Sequence, residues 1–178
     1  MNISVDTIYE FHRVRTACHV ASVNYFADIL GFHFPEHDND KNLEPMRTGY
    51  AYKNYAKYHK NYNMLPMYSG LFEMAHAAHH RHASHHIEFY GGNVAMVPNV
   101  CLVEMICDWF SANFEQKYIL HDGDFDTVHE WFNAKMRHHN WTRSQLKIIS
   151  DAIDYIEQNM DIGTLMKIWE PVQERAEL

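Results

Sequence analysis

Residues 99–110 read NVCLVEMICDWF. Val100, Leu102, Val103, Met105, Ile106, Trp109 and Phe110 leave little of a helix surface polar. The segment therefore predicts a buried helix over about residues 99–115, opened by Pro98 where a first turn tolerates proline. Glu104 and Asp108 interrupt that run one turn apart on one face. A carboxylate in apolar surroundings is costly unless it is paired or coordinated. Asp108 accordingly reads as a metal ligand, and Glu104 as a group that orients a ligand histidine or accepts a proton.

The flanking sequence predicts helices almost throughout. Residues 5–30 place Val5, Ile8, Tyr9, Phe11, Val20, Val23, Phe26, Ala27 and Leu30 close to a 3.6 period, and Gly31 closes the segment. Residues 31–46, with two prolines and several turn formers, predict a bend and a short helix. Residues 47–63 predict a helix with an exposed aromatic face. Tyrosines 50, 52, 55, 58 and 62 on it read as packing, or as a lid or base-stacking surface. Residues 68–83 follow as a helix, and Gly91-Gly92-Asn93 break the chain. Further helices are expected over 125–137 and over 143–159, the latter with Thr142 and Gln145 in a capping box. Asp161-Ile162-Gly163 should open a short terminal helix whose last residues fray. Strand signals are weak, and no repeat or linker stands out. The expectation is one all-α domain, a helical bundle over residues 1–178.

Composition narrows the function classes. Hydrophobic residues make up 47% of the chain and aromatics 14%, which a disordered chain does not carry. A formal net charge of −8 with no basic stripe argues against a nucleic-acid polymer as partner. A small anionic substrate stays compatible, because a bound metal reverses the local field. Cys18, Cys101 and Cys107 sit in apolar stretches and read as reduced core thiols of a cytoplasmic protein. No 18-residue apolar run predicts a membrane span, and MNISVDTIYEFHRVR lacks the apolar core of a signal peptide.

Fifteen histidines in 178 residues are the second departure from ordinary composition. His37-Asp38 offers a neutral nitrogen beside an anionic oxygen, about 100° apart if the pair is helical. That mix suits Zn, Mn, Fe, Co or Ni. Lys41, three residues on, reaches toward the same place and suits a phosphate oxygen. His79 and His86 share a face if their helix is continuous, whereas His85 joins them only if the helix ends near Ser84. His76 and His80, four apart, offer another shared-metal geometry, and His82 reads as exposed. At least two histidines of the 76–86 block are expected to bind metal, and the spacing admits more than one choice. His19, on the first helix, is by itself an ordinary core histidine.

The order His19, His37-Asp38, His79, His85-His86, Asp108 resembles the HD superfamily of metal-dependent phosphohydrolases. Parts of residues 15–115 are also similar to a family of small HD-like proteins from phages and bacteria. The matching stretches are His19 with Leu30-Gly31, then His37-Asp38-x-x-Lys41 with Glu44, the His79…His85-His86-x-Glu88 block, and LVEMICDW with Glu104, Asp108 and Trp109. The Asn-Arg that commonly precedes the histidine pair is Ala83-Ser84 here. The resemblance implies helices converging on His19, His37, Asp38 and Asp108 as one ligand set. His79 with His85, His86 or both would add a second ion. It further implies hydrolysis of a nucleotide or other small phosphate ester, with Asp38, Lys41 and Glu104 near the reacting atoms. An alternative use of the same ligands is a di-iron oxygenase of the HD type, and a third is a non-catalytic metal-binding protein. The aromatic 47–72 region is a candidate lid or homo-oligomer surface.

Overall fold

A computed structural model describes residues 3–176; the side chains of Tyr62, Leu65 and Pro66 also lie outside the description. Seven α-helices carry the chain: α1 (Val5–Ile29), α2 (Met46–Tyr58), α3 (Leu65–His82), α4 (Asn99–Phe114), α5 (Val128–Trp131), α6 (Arg143–Asn159) and α7 (Ile162–Ala176). No strand occurs among the described residues, so the chain is an all-α domain as the periodicity indicated.

The starts and stops are those that local chemistry favours. Ser4 caps α1 by accepting a hydrogen bond from the Thr7 N–H, and Gly31 leaves the helix at φ 78°. Pro98 takes the N-cap position of α4. Thr142 and Gln145 form the expected reciprocal capping box on α6, and Thr127 with Glu130 forms a second one on α5. Two helices do not end where the α pattern stops. α4 runs on as a π-helix over Glu115–Leu120, and α5 over Phe132–Met136.

α1 and α4 pack together at the centre, with α7 against α1, α6 against α4, and the α2–α3 pair against α1. Val23 and Phe26 of α1 meet Leu102, Ile106 and Phe110 of α4, all nearly inaccessible, and Ile153, Ile156, Leu165 and Trp169 close over them. At about 25 cal/mol per Å² of apolar surface, such a core stabilises enough to hold polar groups inside it. α2 and α3 approach tightly at Gly49, where a Cβ would lie 2.5 Å from both Ala75 Cβ and the Leu71 carbonyl oxygen.

Two expectations are corrected. The terminal helix is not short: α7 has 15 residues, because Leu165, Trp169 and Val172 bury one side of it against α1. Its expected fraying concerns Glu177 and Leu178, outside the described residues. The tyrosines of α2 do not form an exposed face, since Tyr50 and Tyr55 are buried against α3 and Phe11. Tyr62 is one of the side chains outside the description.

Candidate metal centre

Three helices and one turn bring polar faces to a common point. α1 contributes His12, Arg15 and His19, and α4 contributes Glu104, Asp108 and Ser111. α3 supplies His79. The segment between α1 and α2 supplies His37, Asp38, Asp40 and Lys41, the last two within a 3₁₀ turn over Asn39–Asn42. His37 and Asp38 are not on an α-helix, so the 100° argument does not set their directions. Instead Asp38 takes the left-handed conformation, φ 59° and ψ 13°, which Asp tolerates better than most residues. α3 ends at His82, with Ala83 extended, and this is what lets His85 and His86 return to the site. Helical continuity from His79 to His86 is therefore not the reason these rings meet.

Asp38 lies at the middle. Its Oδ2 is 3.2 Å from His19 Nε2, 3.8 Å from His37 Nε2 and 2.6 Å from Lys41 Nζ. Its Oδ1 is 3.2 Å from His79 Nε2 and 3.7 Å from His85 Nε2. Asp108 Oδ1 closes the first side, 3.0 Å from His19 Nε2 and 3.7 Å from His37 Nε2. His86 closes the second, its Nε2 3.0 Å from His79 Nε2. One carboxylate thus faces two histidine groups, His19 with His37 and His79 with His85 and His86.

The outer nitrogens of these rings are held. His19 Nδ1–H donates to Ser111 Oγ at 2.9 Å, while the Ser111 hydroxyl donates to the His19 carbonyl. His37 Nδ1–H donates to Glu104 Oε1 at 2.9 Å, and His79 Nδ1–H to Asp40 Oδ2 at 2.8 Å. His85 Nδ1 lies 3.4 Å from the same Glu104 oxygen. Such partners fix tautomers and turn the Nε2 lone pairs inward. Yet His19 Nε2, His37 Nε2, His85 Nε2 and Asp38 Oδ1 are buried without a hydrogen-bond partner. Unsatisfied buried donors and acceptors are expensive, and four of them aimed at one another fit a cation between them. The spacing agrees: two nitrogens about 2.1 Å from one ion at a right angle stand about 3.0 Å apart. These buried His and Asp groups could hold a metal ion.

Charge supports the same reading. Burial opposes ionisation of Asp38, but Lys41, His37 and the nearby rings of His19 and His79 hold its carboxyl well below the usual range. Burial likewise opposes Asp108, and His19 and His37 hold it low. Burial disfavours a charged His37, yet Asp38, Asp108 and Glu104 raise it to about 10. The centre is thus an anionic pocket that already attracts positive charge.

Each expected residue therefore has a place. His19, His37, Asp38, His79, His85, His86 and Asp108 converge, and Lys41 is buried against Asp38. Glu104 touches His37 and His85 through one oxygen, a contact that suits a positioning residue. A carboxyl held as low as that of Asp38 is a poor base near neutrality. Asp38 fits as the shared donor. The His76 and His80 rings lie tilted to each other, centroids 3.9 Å apart, and of the two His80 alone falls in a candidate ligand group, with His86 and Glu88. His82 is exposed, and the three cysteines are free and outside the ligand groups.

Sequence reasoning missed Asp40, Ser111 and His12. Asp40 and Ser111 hold ligand rings. His12 Nε2–H donates to the Lys41 carbonyl at 2.9 Å, tying α1 to the turn that carries Lys41. The signal available was positional: His12 and His19 are seven apart on α1, and Ser111 is three past Asp108.

Of the cavities that touch the centre, two border Asp108. One, of about 230 Å³, is lined by Arg15, Lys41, Lys53 and Lys57 as well as His19 and Asp108. The other, of about 320 Å³, is lined largely by Met105, Trp109, Phe125, Trp131 and Met136, and shares Asp108 and His86 with the first. No helix among the described residues is long and apolar enough to cross a membrane.

Residues 8–161 match the model of a family of unknown function, DUF5662. No curated protein and no solved structure matches the chain.

Proposed function

The chain belongs to the DUF5662 family, and we propose that it is a metal-dependent hydrolase of small phosphate esters of the HD type. The observation that carries the metal is the set of inward Nε2 atoms around Asp38, their Nδ1 atoms held from outside and their inner faces unsatisfied. The chemistry of the donors suits one or two divalent ions of Fe, Mn, Zn, Co or Ni. His19, His37, Asp38 and Asp108 would hold one, and Asp38, His79, His85 and His86 the other. Such an ion supplies Lewis acidity toward a phosphoryl oxygen and lowers the pKa of a water.

The protein's own groups do the rest. Lys41 Nζ, buried beside Asp38, stands ready to balance charge gathering on a phosphoryl oxygen. His12 holds its backbone, so the ammonium is pre-positioned. Asp40, Ser111 and Glu104 keep the imidazoles in one tautomer and orientation. The cationic cavity favours an anionic ester although the chain as a whole is acidic.

A second reading rests on the donor set itself. Histidine groups on both sides of one carboxylate also suit a di-iron oxygenase. Metal analysis of protein prepared without a His tag separates the two, followed by a nucleotide and phosphoester panel with Mn, Co or Ni. Stoichiometric metal with phosphate release that is lost in Asp38→Asn is the expected result. Iron with a visible-band or EPR signature and no phosphate release favours the oxygenase. Stoichiometric metal with neither activity leaves a metal-binding protein, and absence of metal and of any metal-dependent stabilisation sinks all three.

A further inference from the structure

The cavity beside the centre is lined by four cations, Arg15, Lys41, Lys53 and Lys57, together with the carboxylates of Asp108 and Glu115. α2 presents Tyr50, Lys53, Asn54, Lys57 and Tyr58 to it, positions that share one helix face. Three of its four cations are already matched. Lys41 is paired with Asp38, Lys57 with Asp122 at 3.0 Å, and Arg15 with Glu115, to which it donates from Nε at 2.8 Å. Lys53 has no anionic partner among the described residues. Its Nζ instead rests over the Phe72 ring, 3.3 Å from the centroid. A largely buried ammonium without a carboxylate is costly to keep charged. Burial first, then Lys57 and Arg15 nearby, lower Lys53 to about 8. Such a group waits for an anion from outside the chain.

We propose that Lys53 is a specificity residue that binds a second anionic group of the substrate, one that is not cleaved. The substrate class is then a small phosphate ester bearing a further phosphate or carboxylate close to the scissile one. The reading rests on the hydrolase proposed above only for which group is cleaved. The anion subsite itself needs no metal, because Lys53 lies on α2 and is not among the ligand residues.

Two measurements separate the claims. In chelator-treated whole protein, calorimetric titration with inorganic pyrophosphate should show binding, with inorganic phosphate weaker. Lys53→Met keeps the aliphatic stem against Phe72, so it should fold as shown by an unchanged far-UV spectrum. It should bind pyrophosphate about tenfold more weakly, the size expected for a lost charge-assisted hydrogen bond. Lys53→Arg should restore most of that. In metal-loaded protein, Lys53→Met should lower the ratio of kcat/KM for doubly anionic over singly anionic esters, mainly through KM. If neither substitution alters pyrophosphate binding, or the protein binds no pyrophosphate, the subsite is wrong even where hydrolysis is found. Lys53-dependent pyrophosphate binding without any hydrolysis would leave the subsite standing and remove the hydrolase. A panel with paired phosphate and carboxylate second groups tells which anion the site prefers.

Discussion

At the scale of single residues, the centre depends on side chains that hold other side chains. Asp40 is the clearest case, because its carboxylate accepts from His79 Nδ1 at 2.8 Å. Asp40→Ala should leave the fold intact and weaken metal binding about 10- to 100-fold in competition with a chromogenic chelator. An unchanged affinity would show that the contact orients nothing. His12 makes a different prediction. Its imidazole is 1% exposed, and burial, the largest cause, lowers it from 6.5 to about 4. The unfolded chain takes up this proton near pH 6.5 and the folded protein only near 4. Stability is therefore complete above 6.5 and falls as pH drops toward 4, by about 3 kcal/mol in all. His12→Gln cannot titrate, so its stability at neutral pH should be lower while its slope across that window is flatter. Parallel urea-derived pH profiles of variant and parent would contradict the assignment. Neither residue announces itself in the sequence: Asp40 sits among turn-forming residues and His12 is one of fifteen histidines. Their partners are 39 and 29 residues away.

Helix elements meet by contacts that also yield tests. Gly49 is the fourth residue of α2, within a helix where alanine is ordinarily better by about 1 kcal/mol. Here a Cβ would stand 2.5 Å from the Leu71 carbonyl oxygen, and backbone cannot move aside as a flexible side chain does. The clash should win, and Gly49→Ala should destabilise by about 1–3 kcal/mol in chemical denaturation. A gain in stability would mean that α2 and α3 are not held this closely. The junction of α4 with its π-helical extension is tied to α1 by the buried Arg15–Glu115 pair, with Tyr58 of α2 donating to the same carboxylate at 2.7 Å. Burial raises Glu115, but Arg15 outweighs it and the net shift is downward from 4.5. A depressed carboxyl contributes stability above its ordinary pKa and loses it as pH falls through the lowered one. Glu115→Gln should thus cost about 3–5 kcal/mol at neutral pH by leaving Arg15 buried and unpaired. That deficit should shrink below about pH 4.5. A deficit that persists undiminished at pH 3 would assign the effect to packing.

For the whole molecule, metal and fold should be linked. A ligand bound only by the folded chain at a thousandfold excess over its Kd adds about 4 kcal/mol, which in a domain of this size is about 10 °C in Tm. Chelation should lower Tm by that order and readdition of the ion should restore it; a Tm indifferent to both would remove the centre from the account of stability. Helices α1, α4 and α6 were legible from the sequence within a residue or two, because a helix is built from hydrogen bonds four residues apart and from a periodic apolar face. The polar intruders Glu104 and Asp108 were legible too, as groups that an apolar helix must compensate, whereas His19 stood out only through the order it shares with the HD superfamily. Donor chemistry was equally a property of the sequence, since His and Asp bring their lone pairs wherever they are placed. Tertiary structure alone decided the rest. It ended α3 at His82 so that His85 and His86 turn back, and it put Asp38 in a left-handed turn between two histidine groups. It also chose, through Ser111, Glu104 and Asp40, which nitrogen of each ring faces inward. The physical reason is one of range: periodicity is local, whereas the face of an imidazole is set by what holds its other nitrogen, and here that group lies 39 to 92 residues away.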